Sequence, residues 1–218
     1  MYGHQQLIRL SLLAAVWNAC IYASSGEGGE AVKWVESGSG TDCSTACKSW
    51  NADFVAVYSG VYNGNRNQPY YICTTSFEGQ RPGFQLGGFA DNECVVGYGG
   101  KEVSKNPKHC LCRHKDLYSK GKFLSWVDTG FTSDCEKKCE AVRYDGALRV
   151  GGTANGARQY YICRNSYGDG DRTGYQVVGW SDTNCYAGWN GGEHGIDDRE
   201  ASCLCHKGLT PQELRSPG

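Results

Sequence analysis

Short apolar runs alternate with polar, glycine-bearing stretches along this chain, and each run occurs twice. "DFVAVYSG" (53–60) and "PYYICTTS" (69–76) lie on either side of Asn63-Gly64. "GALRVGGTANGARQYYICRNS" (146–166) repeats the arrangement around Asn155-Gly156. Aromatic and β-branched runs flanking Asn-Gly predict hairpins, with "YYIC" as the return strand in each copy. The two-residue period of a strand sends Tyr71 and Cys73 to one face and Tyr70 and Ile72 to the other. A third strand is predicted in "GFQLGGF" (83–89) and "GYQVVGW" (174–180), and a last one in "HCLCR" (109–113) and "SCLCH" (202–206). Two segments break the pattern. "TDCSTACKSW" (41–50) and "SDCEKKCEAV" (133–142) put cysteines four apart on one helical face, behind Thr41 or Asp42 and Ser133 or Asp134 as N-caps.

The repetition extends through the cysteines. Cys43, Cys47, Cys73, Cys94, Cys110 and Cys112 answer to Cys135, Cys139, Cys163, Cys185, Cys203 and Cys205, at offsets of 92, 92, 90, 91, 93 and 93. Self-similarity at a fixed period marks a tandem duplication. The expected organisation is a signal peptide at 1–23, a flexible N-terminal segment at 24–33, a first repeat at 34–114, a linker at 115–125, a second repeat at 126–207 and a tail at 208–218. The leader carries Arg9, a short apolar stretch and then small residues, with cleavage expected after Ala23 or Ser25. Its removal takes Cys20 and leaves twelve cysteines, an even set. The apolar stretch is too short to span a bilayer, so secretion without membrane insertion is expected.

Units of about 80 residues bury marginal cores, and small secreted domains make up the difference with disulfides of about 2–4 kcal/mol each. All twelve paired cysteines are therefore expected to be structural. Zinc is the competing use, because Cys110-x-Cys112-x-His114 and Cys203-x-Cys205-His206 have ligand-like spacing. Structural zinc sites, however, place at least two residues between paired cysteines. Six cysteines allow 15 pairings. Cys110 and Cys112 share a strand face, so each should reach a different partner. The 31 glycines and 5 prolines, with short aromatic strands, predict an all-β fold with one short helix per repeat. The short polar linker "KDLYSKGKFLS" predicts that the copies pack together.

Charge narrows the partners. Without Arg9, 21 basic residues face 23 acidic ones, a net charge of −2. No basic stripe remains for a phosphate backbone, and nucleic acid is not expected as a partner.

The motifs resemble the DM-nine repeat family of natterin-like proteins and bivalve lectins. The second copy supplies Trp126-Val127, Ala147 to Gly152, Tyr161-Ile162-Cys163-Arg164 and Gly174 to Val177. The first supplies Pro82-Gly83 and Gly97-Tyr98-Gly99-Gly100-Lys101-Glu102. The resemblance covers both repeats. It implies two tandem disulfide-stapled β modules related by pseudo-two-fold symmetry, and a glycan-binding role. In lectin members an acidic residue after the Gly-Gly and the lysine of Pro-Gly-Lys hold the sugar. Thr153 and Val61 stand in the first place here, Phe84 and Tyr175 in the second. The Cys-x-x-x-Cys helix alone is similar to that of apple-type adhesion modules.

Sugar sites combine a flat aromatic face with planar polar groups for the hydroxyls. The candidate ligand-binding residues are Phe89, Asp91, Asn92, Tyr98 and Glu102 in the first copy. Trp180, Asp182, Asn184, Trp189 and Glu193 are their counterparts in the second. The expected function is a secreted lectin with one glycan site per repeat, its partners being glycans or glycoproteins on cell or matrix surfaces, with no cofactor. A structural or adhesive matrix protein is the alternative, and a secreted hydrolase or protease inhibitor the next. Catalysis would need carboxylates converging in one pocket, for which Asp91/Asp182 and Glu102/Glu193 are the recurring pairs. The reading here is not an enzyme. Asp169 and Asp171 alternate with glycine as calcium loops do, but without a full set of oxygens the stretch reads as a solvated turn.

Overall fold

The computed structural model describes residues 30–75, 80–89, 92–106, 108–128, 134–152, 158–166, 170–196 and 201–217. The signal-peptide segment, Asp91, Thr153, the Asn155-Gly156 turn and Asp169 lie outside the described residues. Ala31–Gly218 is one compact unit.

The first half runs β1 (Val32–Ser37), α1 (Cys43–Trp50), β2 (Phe54–Ala56), β3 (Tyr58–Tyr62), β4 (Asn65–Thr75), β5 (Pro82–Leu86), β6 (Cys94–Tyr98), β7 (Lys101–Lys105) and β8 (Lys108–His114). After a 3-10 turn at Tyr118–Lys120 the second half repeats this order. It runs β9 (Phe123–Asp128), α2 (Cys135–Ala141), β10 (Gly146–Ala147), β11 (Arg149–Gly151), β12 (Gln159–Asn165), β13 (Arg172–Val177), β14 (Cys185–Trp189), β15 (Gly192–Ile196) and β16 (Ala201–Lys207). Among the described residues the molecule is all-β apart from two short helices and the 3-10 turn.

The strands form one antiparallel sheet in the order β1-β8-β4-β5-β6-β7-β15-β14-β13-β12-β16-β10. Each half contributes the same pairings, and the halves join where Lys101 on β7 pairs with Gly192 on β15. The β3–β4 hairpin closes on Asn63-Gly64, with Tyr62 opposite Asn65. β2 leaves this hairpin and pairs β8 instead, so the run 53–60 is two strands rather than one. The β6–β7 and β14–β15 hairpins, and β1 and β9, are strands beyond those read from the sequence.

The alternation along "YYIC" sorts the core as a strand should. Ile72 and Ile162 enter a central cluster with Trp34, Val57, Leu111, Leu148, Val150, Tyr160 and Leu204, drawn from both halves. Cys73 and Tyr71 face the opposite cluster, packed on α1, and Cys163 and Tyr161 do the same beside α2. Asp42 and Asp134 are the N-caps, accepting from Thr45 N at 2.8 Å and Lys137 N at 2.9 Å. A buried glutamine adds a second cap: Gln85 Oε1 accepts from Cys43 N at 2.7 Å, and Gln176 Oε1 from Cys135 N at 2.8 Å.

Among the described residues, six disulfides close the frame. Cys43–Cys110 and Cys47–Cys112 tie α1 to β8, and Cys73–Cys94 ties β4 to β6. Cys135–Cys203, Cys139–Cys205 and Cys163–Cys185 repeat the pattern. Adjacent same-face cysteines on β8 do reach different partners, as the strand geometry requires. Such a disulfide density belongs to an oxidising environment. Among the described residues no helix is long and apolar enough to cross a membrane.

Candidate functional site

A tight turn follows β5 and β13 alike: Gly88 (φ 79°) and Gly179 (φ 81°) adopt backbone that a side chain would strain. The chain then delivers Phe89 and Trp180 outward, 53% and 48% exposed. Aromatics this exposed are not core.

Phe89 borders a cleft of about 280 Å³ where the two halves meet. The first half lines it with Tyr62, Tyr70, Phe84, Leu86, Phe89 and Glu102, and the second with Arg172, Trp189 and Asn190. Arg172 is 4% exposed, and its guanidinium carbon lies 5.1 Å from the Tyr70 ring, 5.5 Å from Trp189 and 5.8 Å from Phe84. Burial pulls its pKa down, while Tyr70, Glu102 and Tyr62 act in the opposite sense. Burial likewise raises the Tyr70 pKa against the pull of Arg172, keeping that phenol neutral. Glu102 is fixed from the far half: its Oε2 accepts from Gly191 N at 2.8 Å. His194 backs Trp189 edge-on at 5.4 Å, with Nε2 3.0 Å from the Trp189 carbonyl.

The corresponding place in the second half surrounds Arg81, also 4% exposed. Its guanidinium carbon lies 4.4 Å from Tyr175, 4.9 Å from Tyr98 and 5.2 Å from Tyr160. Glu193 mirrors Glu102, its Oε2 accepting from Gly100 N at 2.9 Å. Arg81 donates from Nη1 to the Tyr175 hydroxyl and, at 3.2 Å, to the Gly97 carbonyl. Tyr175 in turn donates to Glu193 Oε1, which lies 3.7 Å from Arg81. Burial first, and then that hydrogen bond, push the Tyr175 pKa up, so its hydroxyl stays protonated.

The expected site residues thus divide. Phe89, Glu102 and Trp189 share the cleft, although they come from different repeats. Tyr98 and Glu193 belong to the Arg81 arrangement. Trp180 stands exposed with Arg158 over its ring at 5.0 Å. Asp182 is occupied inside its own loop, accepting from Tyr186 OH and from Asn184 N at 2.9 Å. Asn92 Nδ2 donates to the Gly40 carbonyl at 2.9 Å and its Oδ1 accepts from Gln85 at 3.0 Å. Arg81 and Arg172 were missed by the sequence reading. Their signal was present in "RPGFQ" and "RTGYQ", a repeated arginine two residues before a repeated glycine.

A larger cavity, about 480 Å³, lies between β3, β9 and β12. Its two cations are engaged: Arg164 pairs with Asp171 at 3.2 Å and Asp128 at 3.8 Å and donates to the Ser59 carbonyl at 3.3 Å, and Arg113 donates to the His114 carbonyl at 3.3 Å and lies over the Tyr118 ring at 5.8 Å. The cleft at Arg172 is the better candidate because it brings three of the expected residues, Phe89, Glu102 and Trp189, together across the two halves. Among the described residues no group of three or more His, Cys, Asp or Glu side chains is placed to hold a metal ion.

Fold and cleft together define a tandem, disulfide-stapled all-β protein with a composite pocket between its halves. The chain is similar in structure to the nematode sperm cell motility protein MFP2B, with a TM-score of 0.56 and 14% identity over 83% of this chain and 47% of that one. It spans about half the length of that protein, and the likeness is one of fold. No family model and no curated protein matches the sequence.

Proposed function

We propose that this chain is a secreted carbohydrate-binding protein, a divergent cysteine-rich form of the DM-nine type, which takes glycans where its two repeats meet. The observation that carries the reading is the cleft at Arg172. Exposed Phe89 and half-buried Trp189 offer apolar faces to the C–H side of a sugar ring, and Arg172 and Glu102 offer planar groups to its hydroxyls. Glu102 and Glu193 are engaged by backbone amides of the opposite repeat, which suits a fixed binding surface better than acid–base chemistry.

A glycan array probed with the oxidised mature chain, with and without calcium, tests the reading. Selective, calcium-independent binding that Phe89→Ala weakens about tenfold in a protein that still folds is the expected result. A blank array from folded protein removes the lectin reading and leaves the matrix or adhesive role in its place.

A further inference from the structure

The cavity of about 480 Å³ between β3, β9 and β12 is built differently from the cleft at Arg172. Its buried lining is apolar, with Val57, Leu124 and Leu204. Its outer lining is aromatic: Tyr58 and Tyr118, both more than half exposed, and the half-buried Trp126. Most polar groups around it are spent inside the protein. The Ser59 hydroxyl donates to the Asp171 carbonyl at 2.7 Å, the Tyr118 hydroxyl to the Leu124 carbonyl at 3.1 Å, and Trp126 Nε1 to the Tyr58 carbonyl at 3.3 Å. Arg164 is held by Asp171 and Asp128. Arg113 differs: it meets a carbonyl and a ring, and among the described residues no carboxylate pairs with it. A guanidinium has five donors, so these contacts leave its charge uncompensated and most of its fork unused.

The second half holds a cavity of about 360 Å³ at the equivalent place. Arg113 faces Val55 as His206 faces Gly146, and Tyr58 faces Tyr71 as Arg149 faces Tyr161. Tyr58 and Arg113 thus correspond to Arg149 and His206. In the second half the cation meets a carboxylate, Arg149 Nη2 lying 2.5 Å from Glu136 Oε1 on α2. At that place α1 carries Ser44.

We propose that the cavity between β3, β9 and β12 binds a small aromatic carboxylate, its acid group on Arg113 and its flat body against Tyr58, Tyr118 and Trp126. This goes beyond the carbohydrate-binding reading and does not depend on it. A sugar would bring several hydroxyls to a lining whose polar groups are mostly paired already, and those hydroxyls would be desolvated without partners. An aromatic body needs no such partners and packs edge-on or offset against other rings. Charge sets its direction. The guanidinium without a carboxylate attracts an anion, while the Arg164 corner, with two carboxylates to one cation, turns it away. A cavity of this size lies within the range of small-molecule sites.

Isothermal titration of the oxidised chain with 2-naphthoate, with uncharged 2-naphthalenemethanol and with octanoate tests this, each variant being checked for a cooperative thermal transition. The expected result is one naphthoate bound per chain, with the alcohol and the aliphatic acid each at least about tenfold weaker. Arg113→Gln should weaken naphthoate about tenfold and leave the alcohol unchanged, whereas Tyr58→Ala should weaken both. Arg149→Gln, in the second-half cavity, should leave naphthoate binding as it is. No saturable binding by the folded wild type, equal affinity for the alcohol or for octanoate, undiminished binding by folded Arg113→Gln or Tyr58→Ala, or loss of binding in folded Arg149→Gln would each overturn the inference. All of these outcomes leave carbohydrate binding untouched. Should Arg113→Gln fail to fold, Tyr58→Ala, at an exposed ring, decides together with the alcohol on the wild type.

Discussion

Single side chains set how this protein meets acid. His206 on β16 is 7% exposed, and its Nδ1 has no hydrogen-bond partner. Desolvation holds its pKa below the usual 6.5, with Asp145 and Glu136 pulling upward and Arg149 downward. His109 is lowered for the same first reason, opposed by Glu36. The sign follows from proton counting: below about pH 6.5 the unfolded chain takes up protons that the folded chain refuses. Stability from this source is fully present above that pH and is lost as pH falls through the depressed folded values. Urea midpoints measured between pH 5 and 8 should fall on the acid side, and a His109→Gln plus His206→Gln chain should show a flatter profile. A wild-type midpoint that rises toward pH 5 would contradict the assignment. Neither histidine could have been singled out this way from sequence, where His206 stands in a ligand-like Cys203-x-Cys205-His206 spacing and His109 merely adjoins Cys110. What separates the two uses is burial and partner geometry, and these depend on residues far away along the chain.

At the level of elements, local patterns carried far but not across the join. The alternation in Tyr70–Cys73 was legible because a strand has a period of two, and the helices because Asp42 and Asp134 cap them in place. The β6–β7 and β14–β15 hairpins were not read, and they are the elements that interlock the halves. Their glycines explain how closely they approach. A Cβ on Gly188 would lie 2.9 Å from the Val96 carbonyl oxygen and 3.0 Å from its carbon, both rigid backbone atoms. A Cβ on Gly97 would meet the Glu193 Cγ first, at 2.8 Å, and backbone only at 3.2 Å, the Ala187 carbonyl carbon. Overpacking of this kind costs about 1–3 kcal/mol. Gly188→Ala should therefore lose more stability in denaturant unfolding than Gly97→Ala. Because Glu102 Cγ also lies 3.2 Å from that Cβ, the carbohydrate-binding proposal expects Gly188→Ala to weaken glycan binding too. Equal losses would mean that the Val96 backbone gives way as easily as a side chain.

The whole molecule is where the sequence reading and the structure part most. Two repeats of six cysteines each, packed together through a short linker, suggest a site apiece, yet the central cluster draws Trp34, Val57, Ile72 and Leu111 from one half and Leu148, Val150, Ile162 and Leu204 from the other. Pairing at such separation leaves no local periodicity to read, which is also why Phe89, Glu102, Arg172 and Trp189 could not be gathered into one site from spacing alone. The ends are tied as well. Glu213 is buried in the tail, where Ala31 N donates to it at 2.5 Å, Lys122 Nζ at 2.8 Å and Thr210 N at 2.8 Å. Burial alone would raise its pKa, but the Lys122, Thr210 and Ala31 hydrogen bonds prevail and hold it low. Disulfides confine each half, but confinement of the unfolded chain does not replace the apolar surface that only the other half can cover. A chain ending at residue 121, oxidised to the same three pairs, should thus lack the near-ultraviolet signal of fixed aromatic packing and melt without a sharp transition. The full chain should unfold in one step, its calorimetric enthalpy equal to the van't Hoff value. A sharp, independent transition from the fragment would mean that each repeat carries its own core and that the shared cluster only docks two finished domains.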